Sequence, residues 1–343
     1  MPTSELAAST TTPAPDDRTF AGLAEPFRRE LKAHCYRMLG SFHEAEDAVQ
    51  DTYLRAWRSF GALDNRSSIK AWLYRIATNV CFDALARRRH ARRVLPQQRA
   101  PATHEMPDGV PAADVAWLEP YPDTELSRVA DDAPDPEARY STREAVRLAF
   151  IAALQQLPPR QRAVLMLCDV LGWSAAETAA LLGASTAAVN SALQRSRETL
   201  AKRYPAGRAP AQERPTGAQE DLLGRYMRAW ERLDVNALVM LLKEDAVYAM
   251  PPLPQWYRGR VSIAAFFNWA FRLYDSFRMT PIGANGQPAF AAYARATAGE
   301  PWTAHSIQVL EFEAGAISGL TLFAKPDSLR LFAAFGLPLV VSD

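Results

Sequence analysis

Two stretches of the chain place hydrophobic residues with a helical period, and a third mixes helical and strand periods. In SFHEAEDAVQDTYLRAWRSF, Ser41 to Phe60, the residues Ala45, Ala48, Val49, Thr52 and Ala56 fall on one stripe. Asp47, Gln50, Asp51, Leu54 and Arg58 fall on the opposite one. After the polar, turn-forming GALDNRS, the run SIKAWLYRIATNVCFDALARRRHARR predicts a helix that buries Ile69, Leu73, Ile76, Ala77, Val80 and Ala84 and ends in the basic Arg87–Arg93. The second helical stretch holds LPPRQRAVLMLCDVLG and WSAAETAALLGASTAAVNSALQRSRETL. There Ser174 and Glu177 have capping-box spacing and Gly183 supplies a tight turn after Leu182, which predicts a helix-turn-helix. At about 100° per residue, Val189, Leu193, Ser196 and Leu200 of its second helix share one sector. Ala187, Ser191, Gln194 and Arg195 point away, with Asn190 and Arg197 on the flanks. Asn and Gln make paired contacts to adenine and Arg to guanine, and small Ala187 and Ser191 let the backbone approach a groove floor.

From residue 218 the pattern changes. QEDLLGRYMRAWERLD and NALVMLLK read as amphipathic helices, while DAVYAM, GQPAFAAYARA and HSIQVLEFEAGAISGLTLFA read as strands, so an α+β domain is expected over 218–337. Two segments without a period separate these blocks: 96–140, rich in Pro, Asp and Glu, and 204–217, YPAGRAPAQERPTG. Inside the first linker, VAWLEPYPDTEL gathers Trp117, Leu118 and Tyr121, more apolar surface than a free tether carries, and is expected to dock. Residues 1–19 predict a disordered tail with neither the basic segment nor the apolar run of a signal peptide. The expected organisation is a tail at 1–19, helical domains at 20–95 and 141–203, linkers at 96–140 and 204–217, and the α+β domain at 218–337.

Composition narrows the class. The 343 residues provide for two or three domains at about 150 residues each. The 48% hydrophobic and 22% charged shares are those of a soluble protein, and no apolar run reaches the ~20 residues of a membrane span. Cys35, Cys81 and Cys168 are far apart and form no CxxC pair, so neither a zinc site nor a disulfide framework is indicated, which fits a reducing cytosol. The net charge of +1 hides a pattern. Residues 20–95 carry 14 Lys/Arg against 8 Asp/Glu, 96–140 carry 3 against 10, 141–203 carry 8 against 4, and 204–343 carry 13 against 13. Two basic helical blocks joined by an acidic tether suit a polyanionic partner.

AEDAVQDTYLRAWRSF with the following IKAWLYRIATNVCFDALARRR resembles domain two of sigma-70 family initiation factors of the extracytoplasmic-function (ECF) type. LQQLPPRQRAVLMLCDVLGWSAAETAALLG with AVNSALQRSR resembles their domain four. The linker WLEPYPD and the appended C-terminal domain are similar to the SigG-like branch, which carries a SnoaL-type (NTF2-like) extension. The fold implied is two all-α sigma domains followed by an NTF2-like cone. The partners implied are core RNA polymerase, through the β′ clamp helices and β flap, and promoter DNA, with no cofactor.

The resemblance also implies roles. Asp47, Gln50 and Asp51 match the face that binds the β′ clamp helices, and Asp64, Asn65, Arg66, Ser67 and Ser68 match the loop that captures a flipped base of the −10 element. Trp72, Arg75 and Asn79 match positions at −10 DNA, Trp72 serving either as a base-stacking or an inter-helix packing group. Arg87, Arg88, Arg89, Arg92 and Arg93 are expected to hold duplex phosphates. Thr186, Ala187, Asn190, Ser191, Gln194 and Arg195 are expected to read the −35 element. Many family members read V-K-S-R-L where this chain has Val189-Asn190-Ser191-Ala192-Leu193, so weaker phosphate anchoring and a different sequence preference are expected. The acidic linker is expected to thread the polymerase cleft as a stand-in for RNA.

In the cone, Tyr248, Met250, Trp256, Tyr257, Trp269 and His305 are candidates to line a pocket. A regulatory domain acting in cis, a small-molecule sensor, and an isomerase or cyclase remain open. Catalysis needs a buried carboxylate base and an oxyanion donor. Asp245 with Tyr248, or His305, are the available nominees, and they make no convincing pair, so no catalytic residue is assigned. Lys325–Phe332, KPDSLRLF, is similar to an Asn-Pro-Asp motif of related branches with Lys in place of Asn, and the DGGGR linker motif of one such branch is absent.

Overall fold

The structure, a computed structural model, describes residues 17–62, 69–88, 92–112, 114–126, 145–204 and 217–342. The first helical unit comprises α1 (Asp17–Ala24), α2 (Arg28–Leu39), α3 (Phe42–Ser59) and α4 (Ile69–Arg87). Helix α2 ends because Gly40 turns left-handed at φ 70°, and α3 begins because the extended Ser41 accepts the Glu44 amide through its hydroxyl. The buried face of α3 is Phe42, Ala45, Ala48, Val49, Thr52 and Ala56, the stripe its period predicts. Helix α4 buries more than its stripe. Tyr74, Thr78, Cys81 and Leu85 are covered along with Ile69, Leu73, Ala77 and Val80, while Ile76 and Ala84 are half-buried. The cause is tertiary: α4 packs on α2 and α3 and also meets the second helical unit, where the rings of Tyr74 and Trp173 lie 5.4 Å apart.

That second unit comprises α5 (Leu148–Leu154), α6 (Pro159–Leu165), which continues as a π turn over Met166–Val170, α7 (Ala175–Leu182) and α8 (Thr186–Arg203). The capping box forms as the sequence predicts: Glu177 donates its amide to the Ser174 hydroxyl at 3.2 Å and accepts the Ser174 amide at 2.9 Å. Gly183, at φ 60°, makes the turn into α8, which Ser185 caps. Helix α8 buries Val189 and Ser196 and half-buries Leu193 and Leu200.

The remaining residues form α9 (Gly217–Glu231), α10 (Val235–Met240), β1 (Leu242–Ala249), β2 (Trp256–Arg258), α11 (Arg260–Ala270), β3 (Ser276–Ala284), β4 (Gln287–Arg295), β5 (Trp302–Glu313), β6 (Ala316–Phe323), α12 (Asp327–Ala334) and β7 (Val340–Val341). The strand order is β2-β1-β6-β5-β4-β3, with β1 and β6 parallel, the other pairs antiparallel, and β7 beside β5. Strand β3 escaped the sequence reading because Pro281 and Gly283 weaken its signal, and a sheet edge tolerates both. The long final run divides into β5 and β6 at Ala314 and Gly315, both at positive φ.

Both faces of the sheet are buried at β4, which explains why it reads as PAFAAYA. Phe290, Ala292 and Ala294 join the cone core with Tyr226, Trp230, Phe267 and Phe277. Ala289, Ala291 and Tyr293 belong to a different cluster, which runs on through Leu331 and Phe332 of α12, Leu95, the linker residues Leu118, Tyr121 and Leu126, and the cores of both helical units. The linker patch therefore docks: Trp117, Leu118 and Tyr121 are all buried. Among the described residues, no helix is long and apolar enough to cross a membrane, and no group of three or more His, Cys, Asp or Glu is placed to hold a metal.

Candidate nucleic-acid interface

Helix α8 presents a polar face. Its Val189 side is fixed against Val164 of α6 and Ala179 of α7, so Thr186, Ala187, Asn190, Ser191, Gln194 and Arg195 all stand exposed together. The Gln194 amide donates to Glu198 at 3.2 Å, one turn on. Arg197 is engaged by Asp169 in a two-pronged pair at 3.0 and 2.6 Å, whose hydrogen bonds raise the guanidinium pKa. The face therefore offers amide and hydroxyl groups with the Arg195 cation beside them, the donor and acceptor set that base edges in a major groove require.

On α3, Asp47, Gln50 and Asp51 are exposed on one face, next to Leu54, which leaves 55% of its surface open. An acidic rim around an exposed leucine suits a basic, partly apolar helix. On α4, Arg75 and Asn79 are exposed, and Trp72 is half-buried with its ring 6.5 Å from Phe60. Asp64, Asn65, Arg66, Ser67, Ser68 and Arg89 lie outside the described residues.

The basic end of α4 divides into two groups. Arg87 is exposed and bonds its own helix at the Asp83 carbonyl, 3.2 Å away. Arg88 turns inward, pairing with Glu44 and donating to the Leu39 carbonyl at 2.9 Å. Arg93 pairs with the same Glu44 at 2.8 Å and donates to the Trp117 carbonyl. Arg92 reaches Gln156 at 3.3 Å. Arg88 and Arg93 tie α3, α4 and the linker together, a demand on cations that the basic run does not reveal in sequence.

Glu119 of the linker sits at the start of α3. Its carboxylate accepts from the Ser41 hydroxyl at 2.8 Å, the His43 amide at 3.2 Å and the His43 ring at 2.9 Å. Burial alone would raise its pKa, but the His43 hydrogen bond and the Arg93 charge outweigh burial and hold the carboxyl down at about 2. The same hydrogen bond raises His43. Gly40 lies under this junction: a side-chain carbon there would come within 2.8 Å of Leu118 and 3.0 Å of Gln155.

The two helical units are also bonded directly. Arg162 of α6, 1% exposed, donates to the Met38 carbonyl at the end of α2 and to the Gln155 side chain at 2.6 Å. Gln155 in turn donates to the Arg37 carbonyl at 3.2 Å.

A single asparagine closes the arrangement. Asn285, in the β3–β4 turn at φ 58°, is fully buried. Its amide group donates to the Tyr36 hydroxyl of α2 at 2.7 Å and to the Val146 carbonyl before α5 at 2.6 Å. Its side-chain oxygen accepts the Tyr121 amide of the linker at 2.9 Å, and its backbone amide donates to the Tyr121 carbonyl at 2.8 Å. Beside it, the Gly286 amide donates to Asp123 at 2.7 Å, and Gln287 accepts the first amide of α5, Leu148, at 2.9 Å. Sequence reasoning missed Asn285. The pair Asn-Gly between two strands is a turn signal, and nothing in it announces three distant partners.

Inside the cone, Tyr248, Met250, Trp256 and Tyr257 are buried, and Trp269 keeps 36% of its surface exposed. Tyr248 packs 5.0 Å from both Phe266 and Phe267, and Tyr257 packs 5.0 Å from Phe266, so these rings fill space with one another. His305 contacts the Tyr274 hydroxyl at 3.2 Å, and burial lowers its pKa to about 3. Asp245 is 75% exposed and faces Lys243 at 3.6 Å, away from Tyr248's buried surroundings. Among the described residues, the hydrogen-bond partners of the His305 ring are the hydroxyls of Ser306 and Tyr274.

The comparisons with known proteins follow the same division. The Sigma-70 region 2 family model matches residues 23–115, the Sigma-70 region 4 model matches 147–200, and the SnoaL-like domain model matches 223–320. The ECF RNA polymerase sigma factor SigG of Mycobacterium tuberculosis is 45% identical over 324 residues, covering 93% of this chain and 84% of SigG. SigW of Bacillus subtilis, also an ECF RNA polymerase sigma factor, is 29% identical over 54% of this chain and 89% of SigW. The crystal structure of the Mycobacterium tuberculosis ECF sigma factor SigJ shares the fold with a TM-score of 0.58 at 22% identity, over 94% of this chain and 100% of that one. The chain belongs to the ECF RNA polymerase sigma factors, in a form that carries a SnoaL-like C-terminal domain.

Proposed function

We propose that this sigma factor directs core RNA polymerase to its promoters and is held inactive by its own C-terminal domain until it opens. Asp47, Gln50 and Asp51, with Leu54, meet the clamp helices of the polymerase. Trp72, Arg75 and Asn79, with the Asp64–Ser68 loop, engage the −10 element. Arg87 and Arg89 add phosphate contacts there, while Arg88 serves the fold. Thr186, Ala187, Asn190, Ser191, Gln194 and Arg195 read the −35 element. A cavity of about 570 Å3 in the second helical unit, bordered by Phe150, Leu165, Leu200 and Tyr204, is suited to the apolar face of a flap helix. The cone supports control in cis better than catalysis, because its aromatic residues pack on one another.

Geometry favours an opening step. Promoter elements about 25 base pairs apart are about 85 Å apart at ~3.4 Å per base pair. Here the two helical units touch, with Tyr74 and Trp173 only 5.4 Å between ring centres. Both units therefore part to engage one promoter. The observation that carries this reading is Asn285, whose bonds join α2, the linker and the segment entering α5. Transcription in vitro with core polymerase tests it. Asn285→Gly keeps the left-handed turn and deletes the side-chain bonds, and we expect promoter activity of the full-length protein to rise about tenfold, the effect of ~1.4 kcal/mol. Unchanged activity, with core affinity also unchanged, would remove the autoinhibitory role.

A further inference from the structure

Strand β2 is the edge of the sheet, paired with β1 on one side through Tyr248↔Tyr257 and Ala249↔Trp256. Its other side carries a segment of the linker. The Trp256 carbonyl accepts the Thr103 amide at 2.9 Å, and the Trp256 indole donates to the Ala100 carbonyl at 2.7 Å. The Tyr257 hydroxyl donates to the Glu105 carbonyl at 2.8 Å, and the Ser262 hydroxyl meets the His104 ring at 2.9 Å. Met106 then packs against the cone's core cluster, which includes Tyr257 and Phe266. Three of these four polar contacts address the backbone of the segment, one from the β2 main chain and two from the Trp256 and Tyr257 side chains, so they take an extended peptide whatever most of its side chains are. Pro101 and Pro107 bracket the segment and favour an extended backbone. Ala100, Pro101, Ala102, His104 and Glu105 are exposed, so the segment lies on the domain surface and not through it.

We propose that the β2 edge, with Trp256, Tyr257 and Ser262, is a peptide-binding site, and that residues 100–106 of the chain's own linker are its resident ligand. The ligand class is an extended, proline-bracketed peptide with a His-x-Met anchor: main-chain bonds give the affinity, and His104 and Met106 give the selectivity. A handful of part-buried hydrogen bonds at one sheet edge holds the segment weakly enough to exchange while the cone stays folded. Release of the linker for the polymerase cleft would then vacate a site on the cone. That consequence rests on the proposed cis control, whereas the site itself does not.

Hydrogen exchange on the full-length protein tests the site without polymerase, so its failure and the failure of the sigma-factor reading are separable. The Thr103 amide is expected to be protected. Tyr257→Phe and Met106→Ala are expected to speed its exchange about tenfold while amides of α8 and β5 keep their protection. A labelled synthetic peptide spanning Arg99–Asp108 is expected to bind the Met106→Ala protein, read by fluorescence anisotropy, and the same peptide carrying M106A is expected not to bind. Unprotected exchange at Thr103 in the wild type, unchanged protection in both variants, or equal binding of the two peptides would each overturn the proposal.

Discussion

Single side chains hold the closed arrangement, and their chemistry makes it sensitive to pH. Glu119 has its pKa pulled down to about 2, so its contribution is present above the ordinary carboxylate value of 4.5 and is lost as pH falls through about 2. His43 has its pKa raised, so its contribution is complete below the ordinary value of 6.5 and is lost as pH rises through the raised one. The junction between the linker and α3 is therefore tightest between about pH 4.5 and 6.5. The stability difference between the wild type and His43→Ala in thermal denaturation is expected to shrink as pH rises from 6 to 9; a constant difference would contradict the pairing. Glu119→Gln is expected to cost about 2 kcal/mol at neutral pH, since it replaces charge-assisted bonds with neutral ones. Gly40→Ala is expected to destabilise the same junction, because the added carbon meets Leu118 and Gln155 where α2 ends in a left-handed turn.

At the scale of elements, the helices were legible and the sheet was partly so. The α3 stripe and the α7–α8 turn follow from period, capping and one glycine, all local signals, and the structure reproduces them. The extra burial of α4 was not legible, because it depends on a unit far along the chain, which brings Trp173 against Tyr74. Strand β4 was legible as a strand, and its lack of polar residues between Pro288 and Ala294 makes sense because Phe290 and Tyr293 enter different cores on its two faces. Of the site residues, the exposed α8 and α3 faces could be read from spacing. The inward turn of Arg88 could not, because a basic run does not say which cations are needed at home. The recognition helix permits a sharp prediction: Gln194→Ala is expected to cost about 1–3 kcal/mol at one base pair of the −35 element, measured over a panel of single-base promoter variants. A uniform loss across the panel would assign Gln194 to the phosphate backbone instead.

At the scale of the whole molecule, one apolar cluster unites parts that the charge pattern separates. The described part of the acidic linker is fastened at Glu119, at Tyr121–Asp123 and along β2. Removing the C-terminal domain, as in a 1–210 truncation, is expected to free the tether and change promoter activity; an identical activity and core affinity would leave the domain without a regulatory role. The most direct measurement is binding of the purified full-length protein to core RNA polymerase and, separately, to promoter duplex alone. We predict tight association with core enzyme and no comparable affinity for free promoter DNA. Failure to bind core enzyme, together with selective binding to a DNA site unaided, would contradict the account.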